Sequence, residues 1–300
     1  MVISIVSHGH GALVLRLLGQ LVGLPAGSVA GVVLTLNAAE SNDAAQIDAA
    51  MADKALAKKL NLQVLRNAHP RGFGANHNQA FKAAGQCFGA ANTGVFCVMN
   101  PDIELMNGSV GALLGAPSNG PQGKKLHELA KTEVKTNVVT ALVAALGQAG
   151  VGLAYPVQVD ATDQWLDFER ALATPHAIFL RRLGFGFGFE LGGVGGLPGQ
   201  RLPDWVSGAV MAFRADVFAK LGGFDERYFM YCEDVDICLR LQLAGYTLKK
   251  ANVSVVHHAQ RRTLTNFKHL AWHVRSLLRL WRSSAYHAYI ESSATKKSER

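Results

Sequence analysis

The sequence predicts an α/β fold, with a mainly parallel central sheet flanked by helices. Three observations predict it. Short apolar runs alternate with helix-like segments through the N-terminal third, the intervals are long enough for crossover helices, and polar residues collect just after the runs. Of 300 residues, 49% are hydrophobic and 17% charged, which excludes a disordered chain and allows a filled core.

In chain order, Val2 to Val6 reads as a strand and Leu13 to Leu21 has helical spacing. Val29 to Leu36 is β-branched and apolar, Ala44 to Leu60 is a polar, alanine-rich helix, and Leu62 to Leu65 is a short strand. Asn76 to Cys87 is predicted helical, and Val95 to Met99 is a fully apolar strand. Ligands of parallel sheets bind beyond the carboxyl ends of the strands. Those ends carry Ser7-His8-Gly9-His10, Asn37 with Glu40, Asn67, and Asn100-Pro101-Asp102. Further on, Ser118 to Gly123 reads as a linker, Lys124 to Gly147 as a helix and Val151 to Val159 as a strand. The glycine-rich Gly184 to Gly199 is either a loop over the site or a plain surface loop.

The net charge of +8 is uneven: nine Lys/Arg against two Asp/Glu from Ala259 to Arg300 supply +7 of it. The near-neutral remainder excludes a protein-wide nucleic-acid surface and leaves a basic C-terminal element facing an anionic partner. From Leu264 to Tyr289 apolar residues recur at helical spacing, with Lys268, Arg275, Arg279 and Arg282 on another face. Such a helix suits peripheral contact with an anionic membrane, or docks on the domain with its charges in water; both readings stand at this point. Ser292 to Arg300 should fray. Cys87, Cys97, Cys232 and Cys238 lack metal or CxxC spacing and read as buried thiols of a reducing compartment. With no leader-like N-terminus and Ala12 to Leu36 broken by Arg16 and Pro25, the expected location is cytoplasmic, extending to the inner face of the cytoplasmic membrane.

The chemistry concentrates between Asp204 and His258. Five carboxylates (Asp225, Glu226, Glu233, Asp234 and Asp236) fall among Phe224, Tyr228, Phe229 and Tyr231. Carboxylates held against aromatics can be tuned as bases or metal ligands. The bland alternative is a helix N-cap cluster, since a helix is predicted from Asp234 to Leu243. A second feature is the strand Val95 to Met99 ending in Asn100-Pro101-Asp102, where proline stops the ladder and exposes a carboxylate. Its bland alternative is an ordinary turn.

Asn67, Gly72-Phe73-Gly74-Ala75-Asn76-His77-Asn78, Asn100-Pro101-Asp102, Trp205-Val206-Ser207-Gly208-Ala209, Gly223-Phe224-Asp225-Glu226 and Tyr231-Cys232-Glu233-Asp234-Val235-Asp236 occur in a telling order. That series resembles family-2 glycosyltransferases, and most closely their bacterial rhamnosyltransferase-like members. The likeness covers Met1 to about His258. It implies a GT-A fold over 1–258, with a nucleotide-sugar-binding half (1–115), an acceptor and catalytic half (151–258), and a basic C-terminal helix and tail (259–300).

The resemblance further implies inverting transfer of a sugar, with dTDP-L-rhamnose as best-matching donor and a glycan or lipid-linked oligosaccharide as acceptor. Mg²⁺ or Mn²⁺ would sit on the diphosphate, with Asp102 and His257 as metal ligands. Asp234 is the implied base, paired with Glu233. Ser7, His8, Asn37, Glu40, Asn67, Gly72, Asn78, Asn100, Asp102 and Trp205 fall on the donor side; Gly208, Asp225, Glu226 and Tyr231 fall on the acceptor side. Gly72 to Asn78 should offer helix-terminal N–H groups to the nucleotide. Asn100 replaces the first Asp of the family's Asp-x-Asp, and two further departures stand out: Glu40 follows the second strand where an Asp is usual, and the first strand ends in Ser7-His8-Gly9-His10 where Thr-Tyr-Asn is more usual. A nucleotide-sugar-binding protein without transferase activity is the alternative. A dinucleotide oxidoreductase fails because no GxGxxG follows the first strand.

Overall fold

The computed structural model describes residues 1–37, 42–52, 54–89, 93–106, 137–172, 174–175, 203–258 and 267–298. The strands are β1 Val2–Ser7, β2 Gly31–Leu36, β3 Leu62–Arg66, β4 Val95–Met99, β5 Ile103–Leu105, β6 Val151–Val159, β7 Glu169–Arg170, β8 Trp205–Val206, β9 Val210–Arg214 and β10 Thr247–His257. The helices are α1 Gly11–Val22, α2 Asn42–Met51, α3 Lys54–Lys59, α4 Phe73–Phe88, α5 Val138–Leu146, α6 Ala215–Lys220, α7 Glu233–Leu243, α8 Phe267–Trp281 and α9 Ser284–Ser298.

One sheet runs in the order β3-β2-β1-β4-β9-β6-β10-β5, and β7 and β8 form a separate ribbon. Pairs β1–β2, β2–β3, β1–β4 and β6–β10 are parallel; β4–β9, β6–β9 and β5–β10 are antiparallel. The two expected halves therefore share one sheet, joined where β4 lies against β9. Alternation along the strands feeds two core layers. Ile3, Ile5, Val32 and Leu34 face the layer that holds Leu17, Leu18 and Leu21 of α1. Val2 and Val33 face the opposite layer, with Ala80 and Ala84 of α4 and Ile237 and Leu241 of α7. Pro156, which cannot donate to the ladder, sits where the β6–β10 register shifts between Lys250 and Ser254.

Several elements differ from the sequence reading. The helix expected over Ala44 to Leu60 is two, α2 and α3, with Ala52 in a turn between them. Helix α4 begins at Phe73 rather than Asn76, because Gly72 is extended and acts as its N-cap. The turn at Asp102 leads into β5, which crosses to the far edge beside β10. The C-terminal helix is also two, and α9 continues to Ser298 where fraying was expected. Cys87 is exposed, not buried, because α4 turns Ala80, Ala84 and Phe88 inward; Cys97, Cys232 and Cys238 are buried thiols. Of the helix expected from Lys124, only α5 falls within the described residues; Ser118 to Gly123, Gly184 to Gly199 and Glu40 lie outside them.

The rim above β1, β2 and β3 is held by three asparagines. Asn67 donates through Nδ2 to Asn37 Oδ1 (2.8 Å) and Asn76 Oδ1 (2.6 Å). Asn37 accepts from the Arg71 N–H (2.8 Å) and donates to the Arg71 carbonyl (2.9 Å), while Asn76 donates to the Gly72 carbonyl (3.0 Å). All three are buried, so each bond is made where water cannot replace it. Asn67→Ala should cost about 1–3 kcal/mol in a denaturant titration by leaving the buried Asn76 Oδ1 without the Asn67 donor, while Asn37 Oδ1 keeps the Arg71 N–H.

Candidate active site

The carboxyl ends of β1, β2, β3 and β4 share one rim, occupied by Ser7 and His8, Asn37, Asn67, and Asn100 with Asp102. Ser7 is buried and its Oγ accepts the His10 N–H (3.3 Å), whereas His8 is exposed. Asn37 and Asn67 have their amides engaged with the protein, so they shape this rim by fixing Arg71 and the loop that leads to Gly72. The Asn100 N–H donates to the Ala209 carbonyl (2.8 Å), tying the β4 rim to the start of β9. One residue earlier, the Gly208 N–H donates to Asp234 Oδ2 (3.1 Å). Asp102 and Asp234 are thus placed on neighbouring turns through a strand pair.

Glu233 and Asp234 occupy the first turn of α7. The helix dipole favours them by about 0.3–1 kcal/mol each, but removing a carboxylate from water costs several. Burial therefore raises both, and the Asp234 charge raises Glu233 further. The proton of the pair belongs on Glu233. Asp234 accepts two backbone N–H groups, from Gly208 and from Val235 (2.9 Å), whereas buried Glu233 Oε2 has no hydrogen-bond partner. Half-buried Asp234 is left as the ionised member, open to a proton. Arg170 also favours its charge.

Asp102 and His257 meet at the other end of the rim. His257 Nδ1 lies 3.0 Å from Gln158 Oε1, which with the amide so oriented assigns the N–H to Nδ1. The Nε2 lone pair then faces Asp102 Oδ1 at 3.5 Å, and that buried oxygen has no hydrogen-bond partner. Two facing lone pairs suit a cation. Asp102 and His257 fit a hard divalent ion that takes further ligands from phosphates and water. Among the described residues no third His, Cys, Asp or Glu joins them. His258 points elsewhere, to Glu104 Oε2 (2.9 Å), which also receives Arg16 (3.1 Å).

Other residues read from the sequence hold the frame. Asn78 donates to the Phe224 carbonyl (2.8 Å) and Glu226 (3.1 Å) and accepts from the Phe224 N–H (2.9 Å). Glu226 also faces Arg71 (3.4 Å). Asp225 is bound by Arg227 at 2.6 Å, and Arg240 links Asp236 (2.7 Å) to the carbonyls of Leu221 and Gly223. The Phe73 N–H donates to the Phe229 carbonyl (2.9 Å), so it is not available to a phosphate as expected. A Cβ at Gly72 would meet that carbonyl oxygen at 2.7 Å, which only glycine avoids. His77, buried with Nδ1 2.8 Å from Ser4 Oγ, is pushed down to about 3 by burial and stays neutral. Trp205 donates to the Ala171 carbonyl (3.1 Å) and lies under Arg170, 5.1 Å from its ring centre. Tyr231 bonds His269 of α8 (2.8 Å). Gln158 and Arg170 were missed. Gln158 had a signal, as a polar residue in an otherwise apolar strand; Arg170 had none.

A family model described as glycosyl transferase family group 2 matches residues 130–290. The chain belongs to that family. Among curated relatives, rhamnosyltransferase WbbL of Escherichia coli (strain K12) is 42% identical over 78 residues, 25% of this chain and 30% of the relative. An N-acetylglucosaminyl-diphospho-decaprenol L-rhamnosyltransferase of Mycobacterium tuberculosis is 28% identical over 72% of this chain and 65% of its own length. Both matches span less than two thirds of the relative. Two solved structures share the GT-A fold. A GalNAc-T7 structure with UDP, GalNAc and Mn²⁺ aligns at TM-score 0.53 and 15% identity, over 85% of this chain and 43% of that one. The Pyrobaculum calidifontis mannosyltransferase with GDP-Man and Mn²⁺ aligns at 0.51 and 14%, over 98% and 74%.

The carboxylate pair generates a stability prediction. A carboxyl protonated in the fold but ionised in the unfolded chain stabilises the fold fully below its ordinary value, 4.5 for Glu233, and loses that contribution as pH rises through the raised folded value. Glu233→Gln removes the titration. Its melting temperature should exceed wild type at pH 7 and converge with it near pH 4; a constant offset across that range would place the proton elsewhere.

Proposed function

We propose that this chain is an inverting glycosyltransferase that moves a sugar from a nucleoside diphosphate to a glycan hydroxyl, with Asp234 as general base. The observation that carries the reading is a half-buried carboxylate, held by two backbone N–H groups, beside the rim that bears Asp102 and His257. The acceptor O–H proton passes to Asp234 as its oxygen bonds the anomeric carbon. The anomeric C–O bond breaks on the opposite face, and its electrons leave with the nucleoside diphosphate. One base acting from one face inverts the centre without a covalent intermediate. Burial makes Asp234 a stronger base than a solvated aspartate, and protonated Glu233 spares it a second adjacent charge. A divalent ion held by Asp102 and His257 would supply positive charge to the departing diphosphate. Mg²⁺ and Mn²⁺ both suit an oxygen-rich site; the two neighbours above contain Mn²⁺.

The relatives' names support L-rhamnose as the sugar and a lipid-linked glycan as the acceptor; dTDP as the carrier of that sugar follows from the family resemblance. The reaction belongs in the cytoplasm, where nucleotide sugars are at hand. The test is release of nucleoside diphosphate from dTDP-, UDP- and GDP-sugars with Mg²⁺ or Mn²⁺ and a lipid-linked glycan extract. One donor should turn over. Asp234→Asn should lower transfer by about 10²–10⁴-fold with donor binding kept. Asp102→Asn should weaken metal-dependent donor binding. The acid limb of the wild-type rate should lie above the ordinary aspartate value of 3.8, rate falling as Asp234 gains its proton. Donor binding without turnover would favour a nucleotide-sugar-binding protein instead, and no donor binding would sink the transferase reading.

A further inference from the structure

Helix α8 is docked through a mixed face, on which Leu280 is buried and Leu277 and Trp281 pack beside it. Ser276 Oγ donates to the Met230 carbonyl (2.8 Å), His269 Nδ1 meets Tyr231 Oη (2.8 Å), and Trp272 packs on Phe229 with ring centres 4.9 Å apart. Of its leucines, only Leu280 is fully buried. The outward face is apolar: Phe267 is 90% exposed, Leu270 and Val274 49% and Leu278 41%. At about 3.6 residues per turn these four form one strip. The adjoining strip carries Lys268, Arg275, Arg279 and Arg282, and α8 contains no acidic residue. Between the strips runs a groove of about 770 Å³, which Arg227 also lines.

An apolar strip of this size on a stable helix calls for a partner. Self-association through α8 would cover the apolar strip but leave the arginine row without an anionic partner, since α8 has no acidic residue. An anionic bilayer satisfies both strips at once: acyl chains take the apolar side chains while phosphates take the arginines. Among the described residues no helix is long and apolar enough to cross a membrane, so the contact is in-plane.

We propose that α8 docks this chain on an anionic phospholipid bilayer, with Phe267, Leu270, Val274 and Leu278 inserted and Arg275, Arg279 and Arg282 on the headgroups. The inference stands independently of sugar transfer. Its consequence is that the segment Tyr228 to Cys232, which α8 grips and which leads into Glu233, is held next to the bilayer.

The test is co-sedimentation of the full chain with vesicles of phosphatidylglycerol and phosphatidylcholine, and with phosphatidylcholine alone. Binding should require the anionic lipid and fall steeply between 0.1 and 1 M NaCl, as screening tightens from about 10 Å to about 3 Å. Leu270→Glu/Leu278→Glu should cut partitioning by about tenfold or more, because two inserted leucines are lost. Arg275→Glu/Arg282→Glu should abolish the anionic preference. All four positions are solvent-facing, so each variant should keep the wild-type melting transition, which is checked alongside. Equal binding to neutral vesicles, binding indifferent to the leucine changes, or a concentration-dependent dimer dissolved by them would overturn the proposal. Because no step reads catalysis, failed transfer and failed docking are distinguishable.

Discussion

The site depends on one short segment, Tyr228 to Cys232, being forced into a conformation its residues resist. Tyr231 and Cys232 both have positive φ, 72° and 64°, in the left-handed region. Two such non-glycine residues cost about 1–3 kcal/mol each and persist only where surroundings over-determine them. Here three elements do so. Tyr228 and Cys232 are buried with Leu239 and Leu280, α4 donates its first N–H to Phe229, and α8 binds Met230 and Tyr231. The backward twist delivers Glu233 and Asp234 to the start of α7 with the Gly208 N–H in reach of Asp234. A relaxed segment would begin the helix elsewhere and leave the pair in solvent.

Burial then does opposite things at the two ends of the rim. At α7 the backbone donors favour charge on Asp234, and the neighbouring Glu233, whose Oε2 has no donor, keeps its proton. At β4 and β10 no donor reaches Asp102 Oδ1, and the histidine opposite is fixed so that a lone pair faces it. In the proposed transfer one end would receive a proton and the other a cation. Departure of an anion and deprotonation of a hydroxyl need those two capacities on opposite sides of one carbon.

Much of this was legible in the sequence, for identifiable reasons. The parallel strands were visible because burial on both faces demands unbroken apolar runs, as in Val95 to Met99. Asp102, Asp234 and Glu233 stood out because each follows an apolar or aromatic stretch that would not otherwise end in acid. The resemblance implied His257 as a metal ligand; the structure supplies the partners, Asp102 for His257 and Glu104 for its neighbour His258. Roles were less legible than positions. Asn37, Asn67 and Asn78 look like ligand-binding residues in one dimension, but their amides close loops in three. The partners of Asn37 and Asn78, Arg71 and the Phe224 backbone, lie 34 and 146 residues away. Cys87 misled because local apolar context does not say which side of α4 a residue occupies.

Helix α8 marks the sharpest limit of periodicity. Its spacing reveals two faces but not which one meets the domain, and the ordinary assumption turns the apolar face inward. What seats the helix is the surface already there: Phe229, Tyr231 and the Met230 carbonyl meet Trp272, His269 and Ser276, while Leu277, Leu280 and Trp281 pack on Tyr228, Cys232 and Leu239. An exposed acceptor carbonyl left under leucine would lose its hydrogen bond, a cost of about 1–3 kcal/mol that competes with the gain from burying one more aliphatic side chain. The left-handed twist that presents the carboxylates also presents those groups. The strained segment that builds the acidic end of α7 therefore also shapes the surface on which α8 docks.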